Sequence, residues 1–169
     1  MSAVTTTPVH VADPAWRPST KAPLMWASGI AIFWAFLIMA QGVWANLSAD
    51  ATSTWHLVAA GATLILAPLH IIGVPLWRYR VHRWEVTSDA VYTRQGWFTQ
   101  ERRIAPISRI QTVDTTRGPV DRFLGLATVT VTTASSAGAV TIPALDVEVA
   151  DRTVRELTDV ASRTRGDAT

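Results

Sequence analysis

The chain has 169 residues, of which 49% are hydrophobic and 17% charged, with a mean hydropathy of +0.20. This excludes a disordered chain, which needs low hydrophobicity and high charge, and it is poor in charge for a soluble domain at about 25%. A net charge of +2 gives no footprint for nucleic acid, and the absence of cysteine removes disulfides, thiol catalysis and cysteine-ligated metals.

Residues 1–22 are rich in Thr and Pro and read as a flexible cytoplasmic tail. Next come two windows without Asp, Glu, Lys or Arg, one between Lys21 and Asp50 and one between Asp50 and Arg78, of 28 and 27 residues. Each exceeds the ~20 residues that cross a hydrocarbon core of ~30 Å. They predict a two-helix transmembrane hairpin over 23–77, with spans at about 24–47 and 55–77. A cleaved signal peptide fits the first window poorly, because its apolar run exceeds the usual 7–15 residues.

Tryptophan marks the span ends. Trp26 and Trp44 stand ~27 Å apart along a helix and Trp55 and Trp77 ~33 Å apart, at a rise of 1.5 Å per residue. Both pairs fall where aromatic belts sit at membrane faces, while Trp34 is mid-span and reads as lipid-facing or packing. The loop 46–54 carries only Asp50, whereas Arg17 and Lys21 precede the hairpin and Arg78, Arg80 and Arg83 follow it. Such asymmetry predicts a multi-pass protein of the cell (inner) membrane with both termini cytoplasmic. The membrane-interface candidates are therefore Trp26, Trp44, Trp55, Trp77, Arg78, Arg80 and Arg83.

Within the hairpin, Ala27, Ala31 and Ala35 face one way, as do Ala59, Thr63 and Ala67, and small residues let helices approach closely. His70 shares the second of these faces. A proton relay or metal site there would need partners, and Gln41 lies at another depth, so His70 reads as a neutral histidine bonded inside the hairpin. Pro68 and Pro75 predict bends.

Residues 78–164 read as a soluble domain, with a tail at 165–169. Strands are predicted over 84–87, 90–94, 97–104, 126–133 and 140–142, with turns at 88–89, 95–96 and 135–138. After Pro143 the period changes. Val147, Ala150, Val154, Leu157 and Val160 make one apolar helical stripe, and Asp146 is placed to cap it. The class is α+β: a small antiparallel β-barrel or sandwich closed by a C-terminal amphipathic helix.

Several runs resemble the YdbS-like membrane-flanked bacterial pleckstrin-homology (PH) domain family. They are 104–114 (with Ile107, Arg109, Ile110, Gln111, Val113 and Asp114), 118–127 (with Gly118, Pro119, Phe123 and Gly125), 83–87 and 91–96. The resemblance covers about 78–161 and the preceding hairpin. It implies two orthogonal antiparallel sheets with a C-terminal helix plugging one open end. It also implies partners among larger membrane proteins that carry several copies of the domain. It carries no catalytic residues across. Eukaryotic PH domains bind inositol phosphates through basic residues around the first inter-strand loop, but here that loop is Ser88-Asp89.

Gly118-Pro119 predicts a turn into a short helical plug, with Phe123 and Leu124 facing the core and Gly125 ending it. Arg109, Gln111 and Asp114 have two open readings, a partner-binding edge or surface groups that satisfy backbone and one another. Thr128, Thr130 and Thr132 could augment a partner's sheet or form a wet face. Arg102 and Arg103 join Arg78, Arg80 and Arg83 in a basic half, with nine Arg against five acids over 78–122. Each base near an anionic leaflet contributes ~1 kcal/mol.

No nucleophile–base pair, phosphate loop or metal spacing is present, so the expectation is a non-catalytic protein without cofactor, metal or small-molecule substrate. It would present its domain to another membrane protein as a scaffold or adaptor. The alternatives are an anionic-lipid-sensing module built on the arginines and a regulatory subunit in an envelope-stress response.

Overall fold

The structure is a computed structural model and describes residues 13–48, 50, 53–96, 99–134 and 138–166. Helix α1, Ala22–Leu47, opens on Pro23, whose fixed φ suits a first turn and whose missing N–H costs nothing there. At its far end the Asn46 amide donates to the Gly42 carbonyl and the Ser48 hydroxyl to the Trp44 carbonyl, at 2.7 and 2.8 Å. Helix α2, Thr54–Val81, runs back antiparallel. Both are long and apolar enough to cross a membrane. Residues Leu69–Gly73 of α2 form a π-turn between Pro68 and Pro75. Neither proline can donate to the helix ladder, and the widened turn falls where the bend was expected.

Polar groups in a hydrocarbon environment need internal partners. The Trp34 indole N–H donates to His70 Nδ1 at 3.2 Å, which leaves the neutral imidazole its proton on Nε2. The Gln41 amide donates to Thr63 Oγ1 at 2.6 Å, and Thr63 donates to the Ala59 carbonyl at 2.9 Å. His70 is thus bonded within the hairpin as expected. The helix seam differs in one respect. Thr63 and Ala67 are buried, but Ala35 is exposed, and Trp34 fills the facing position on α1. A small ridge on one helix leaves room for an indole on the other, and Trp34 takes that room beside His70, while Ala27, Ala31 and Ala59 are half-buried.

The domain contains two antiparallel three-stranded sheets. The first holds β1 (Arg83–Val86), β2 (Ala90–Gln95) and β3 (Glu101–Pro106). A 3₁₀ turn, Ile107–Arg109, leads to the second, with β4 (Ile110–Thr116), β5 (Leu126–Thr133) and β6 (Val140–Asp146). Helix α3, Pro119–Leu124, joins β4 to β5, and α4, Val147–Gly166, follows β6. Among the described residues no strand pairing links the sheets. The arrangement is an open two-sheet sandwich; the closed barrel is not formed.

Three elements differ from expectation. β3 starts at Glu101, because Gly96 takes φ 107° and a Cβ there would collide with the Thr99 carbonyl; residues 97–98 lie outside the described set. β6 runs past Pro143 to Asp146, with Ala144 at φ 56°. β4 forms where no alternation in the sequence predicts a strand.

The core forms where β5 turns Ala127, Val129 and Val131 inward, opposite Val140 and Ile142 of β6. Ala150 and Leu157 of α4 are completely buried on it, flanked by Val147, Val154 and Val160. The apolar stripe of α4 is therefore the face that docks. Full burial of a leucine contributes about 1.5–3 kcal/mol.

Residues 13–21, expected within a flexible tail, form a strap across the domain. Trp16 and Trp84 exchange both backbone hydrogen bonds, at 3.0 and 2.9 Å. The Ser19 N–H donates to the Ala144 carbonyl at 2.8 Å, and its hydroxyl donates to Asp146 at 2.9 Å. Asp146 was expected to cap α4; its carboxylate receives Ser19. A second buried cluster, Ala22, Trp26, Leu126 and Ala144 with Met25, Tyr79 and Leu124, joins the hairpin to the domain.

Phe123 was expected in the core and is 90% exposed. Neighbouring residues of a helix point ~100° apart, and in so short a helix only Leu124 reaches the second cluster. Gly125 ends α3 at φ 70°, as its position implied.

Candidate functional site

Two regions of this fold gather the polar and aromatic residues that matter for a site: the junction between hairpin and domain, and the edge of β4. At the junction the last turn of α2 brings the Arg78 guanidinium over the Trp26 ring, 4.4 Å from its centroid. The His82 ring lies 5.2 Å from that of Trp26, and Arg17 stands 5.7 Å over Tyr79. His82 Nδ1 donates to the Arg78 carbonyl at 2.9 Å. Beside these groups a groove of about 380 Å³ is lined by Val74, Arg78, His82, Gln95, Gly96 and Glu101.

His82 is buried, and desolvation followed by the Arg78 charge pushes its pKa down; the hydrogen bond to the Arg78 carbonyl opposes them. A histidine with a folded pKa below its unfolded value of about 6.5 binds fewer protons in the folded state. Stability is therefore complete above about pH 6.5 and falls as pH drops from there toward the folded pKa, by at most about 1.4 kcal/mol per pH unit. Thermal unfolding of the detergent-solubilised protein between pH 7.5 and 5 should show this loss, and His82→Gln should flatten it. An unchanged slope in the variant would assign the pH dependence elsewhere.

The predicted interface residues separate into groups. Trp26 lies at the domain end of α1 and is turned into protein. Trp44 meets His56 at the opposite end in a tilted ring contact, centroids 4.0 Å apart and planes 53° apart. Trp55 and Trp77, at opposite ends of α2, are both exposed, Trp55 at 74%. Arg78 and Arg80 are exposed and Arg83 is half-buried. Burial, Arg17 and Arg94 push the Arg83 pKa down, against Asp13 and Tyr79.

Arg102 pairs with Asp13 at 2.9 Å, and Arg94 pairs with the same carboxylate. Arg103 pairs with Glu101 at 2.6 Å and donates to the Ala139 carbonyl at 3.1 Å. Arg109, Gln111 and Asp114 are all exposed, on the 3₁₀ turn and β4, away from Arg102 and Arg103 on β3. Asp114 accepts from the Thr112 hydroxyl at 3.0 Å. One edge of β4 pairs with β5, and no strand pairs with its other edge among the described residues. The outer edge of β1, by contrast, receives Trp16.

Sequence reasoning missed Asp13, Trp16, Ser19 and His82. Trp16 gave a signal, being the one aromatic residue in the Thr- and Pro-rich segment. Among the described residues no three His, Asp or Glu side chains converge on a possible metal position.

Two helices long and apolar enough to cross a membrane, a packed junction and a two-sheet PH-like domain define a membrane protein with a PH-like domain. The bacterial PH domain family matches residues 15–161, and the chain belongs to that family. It is also similar to the UPF0699 transmembrane protein YdbS of Bacillus subtilis, at 34% identity over 114 residues, 67% of this chain and 70% of that protein. No solved structure matches. The family match begins at residue 15, so it takes in the Trp16 strap and both spanning helices.

Proposed function

We propose that this is a non-catalytic protein of the cell membrane that holds its PH-like domain at the cytoplasmic face to bind a second membrane protein. The observation that carries this reading is the outer edge of β4 from Gln111 to Thr116, with which no strand pairs among the described residues and where Gln111, Thr112, Asp114, Thr115 and Thr116 are all exposed. Free N–H and C=O groups on such an edge accept an added strand, and neighbouring side chains select it. The strap and the Trp26 cluster support the reading by fixing the height of this edge above the hairpin. The charge asymmetry around the hairpin supports cytoplasmic termini. The resemblance to YdbS-like proteins points to a partner carrying related PH-like domains.

Lysine on an exposed edge blocks strand addition without touching the core. The double variant Gln111→Lys, Thr115→Lys should lose about tenfold or more of its crosslinked partner in native membranes, equivalent to at least about 1.4 kcal/mol of binding. Its unfolding temperature should stay unchanged. Unaltered crosslinking, or recovery of the wild-type protein alone, would refute the edge as the binding site. The lipid-sensing alternative is less favoured, because ion pairs to Asp13 and Glu101 already engage Arg102 and Arg103.

A further inference from the structure

Phe123 is the most exposed large apolar side chain among the described residues, the spanning helices included. A single exposed apolar residue on a soluble surface carries no message. The position of this one does.

Helix α3, which carries it, is held at both ends. The Gly118 N–H donates to Asp121 Oδ2 at 2.8 Å, and the Leu124 carbonyl accepts from Lys21 Nζ at 3.0 Å. Leu124 also packs, with Met25, on the cluster that contains Ala22 and Trp26. So α3 lies beside the first turn of α1, where the chain enters the bilayer. From Lys21 to Trp26 the helix rises only ~7.5 Å, at 1.5 Å per residue. The headgroup layer on each side of a bilayer is about 5–8 Å thick. Phe123, next in sequence to Leu124, is therefore carried at headgroup depth.

The charges around it suit that place. Lys21 and Arg117 flank α3 and Arg122 lies on it, all three exposed, and Arg117 is oriented by its Nε bond to the Leu126 carbonyl at 3.1 Å. Of the nearby acids, Asp121 is bonded to Gly118, and Asp146 accepts from Ser19 and stands 4.0 Å from Lys21 Nζ, which leaves Arg117 and Arg122 as the bases of this face without an ion pair among the described residues. An aromatic ring flanked by bases is the composition of a segment lying in a membrane interface.

We propose that Phe123 inserts into the headgroup–acyl boundary of the leaflet that α1 enters, giving the domain a third point of membrane contact beside the two spans. Three points define a plane, so this contact sets the domain's tilt. The inference rests on α1 and α2 being spans, and its test separates the two.

The chain contains no cysteine, so Phe123→Cys and Ile32→Cys each provide a single labelling site. Ile32 lies exposed in the middle of α1. Each full-length variant is labelled with an environment-sensitive NBD fluorophore. It is then reconstituted in phosphatidylcholine–phosphatidylglycerol vesicles holding lipids with shallow or deep doxyl quenchers. The label at 123 should be blue-shifted and lose most fluorescence to the shallow quencher, and that at 32 to the deep one. A water-like, unquenched label at 123 with quenching at 32 overturns the insertion of Phe123 and leaves the spans intact. No quenching at either position overturns the spans and the inference together.

Discussion

Leu157→Ala should destabilise the protein by about 3 kcal/mol, within the range of about 2–5 for a buried leucine in a core that cannot collapse. Leu157 is completely buried where α4 crosses the sheet of β4, β5 and β6. Among its described side chains the helix has no second anchor of comparable size: Ala150 and Thr153 are buried but small, and Val147, Val154 and Val160 are only half-buried. Helices draw most of their stability from one packed face, so a cavity at its centre loosens all of α4. Val129, Val131 and Ile142 would then lose their cover. Limited proteolysis should cut within α4 faster in the variant, and its unfolding midpoint should fall. Glu156→Ala, one residue away and exposed, should stay within about 0.5 kcal/mol of wild type. Equal behaviour of the two variants would remove Leu157 from the core.

Trp26→Ala should cost about 3–5 kcal/mol but act on the connection between hairpin and domain. The indole packs with Leu126 and Ala144 of the domain and contacts the Arg78 guanidinium and the His82 ring. The cation–π contact alone contributes about 1–2 kcal/mol when partly desolvated. Its removal leaves both sheets and both helices with their own hydrogen bonds, so far-ultraviolet circular dichroism should barely change. Hydrogen exchange should change locally. The amides of Trp16, Ser19 and Trp84, which close the strap, should exchange faster, while those of β5 keep their protection. Equal acceleration in β5 would mean that the domain has no stability apart from the junction.

These contacts show what a sequence can and cannot display. The spans are legible because an absence of charge accumulates over many residues, further than a signal peptide's 7–15 apolar residues would carry it. β5 is legible because Ala127, Val129 and Val131 alternate with threonines, and α4 because its apolar residues keep helical spacing. β4 carries no such pattern: it packs only Ile110 and, in part, Val113, and its other residues face solvent. The run 104–114, recognisable as a family signature, also spans a corner from β3 through the 3₁₀ turn into β4, so no single period describes it. Phe123 was misplaced because an apolar pair in a short helix shows no preferred face. The junction was invisible for another reason. Trp16, Trp84 and Ala144 are far apart in the chain, and backbone bonds between them leave no mark on residue choice.

The Trp16–Trp84 pairing and the Ser19–Ala144 bond also constrain how the molecule is made. The segment before α1 leaves the ribosome ahead of its partners at 84, 144 and 146, which follow only after both helices have been synthesised. At about 5–20 residues per second that wait is on the order of ten seconds. With α1 and α2 as the proposed spans, both must be threaded during it, and the chain must return to the side from which it left. A molecule with one helix inserted and the other stranded cannot bring Trp16 to Trp84. Closing the strap is thus a late step, open only to chains whose hairpin is complete, and it ties correct insertion to the folding of the domain.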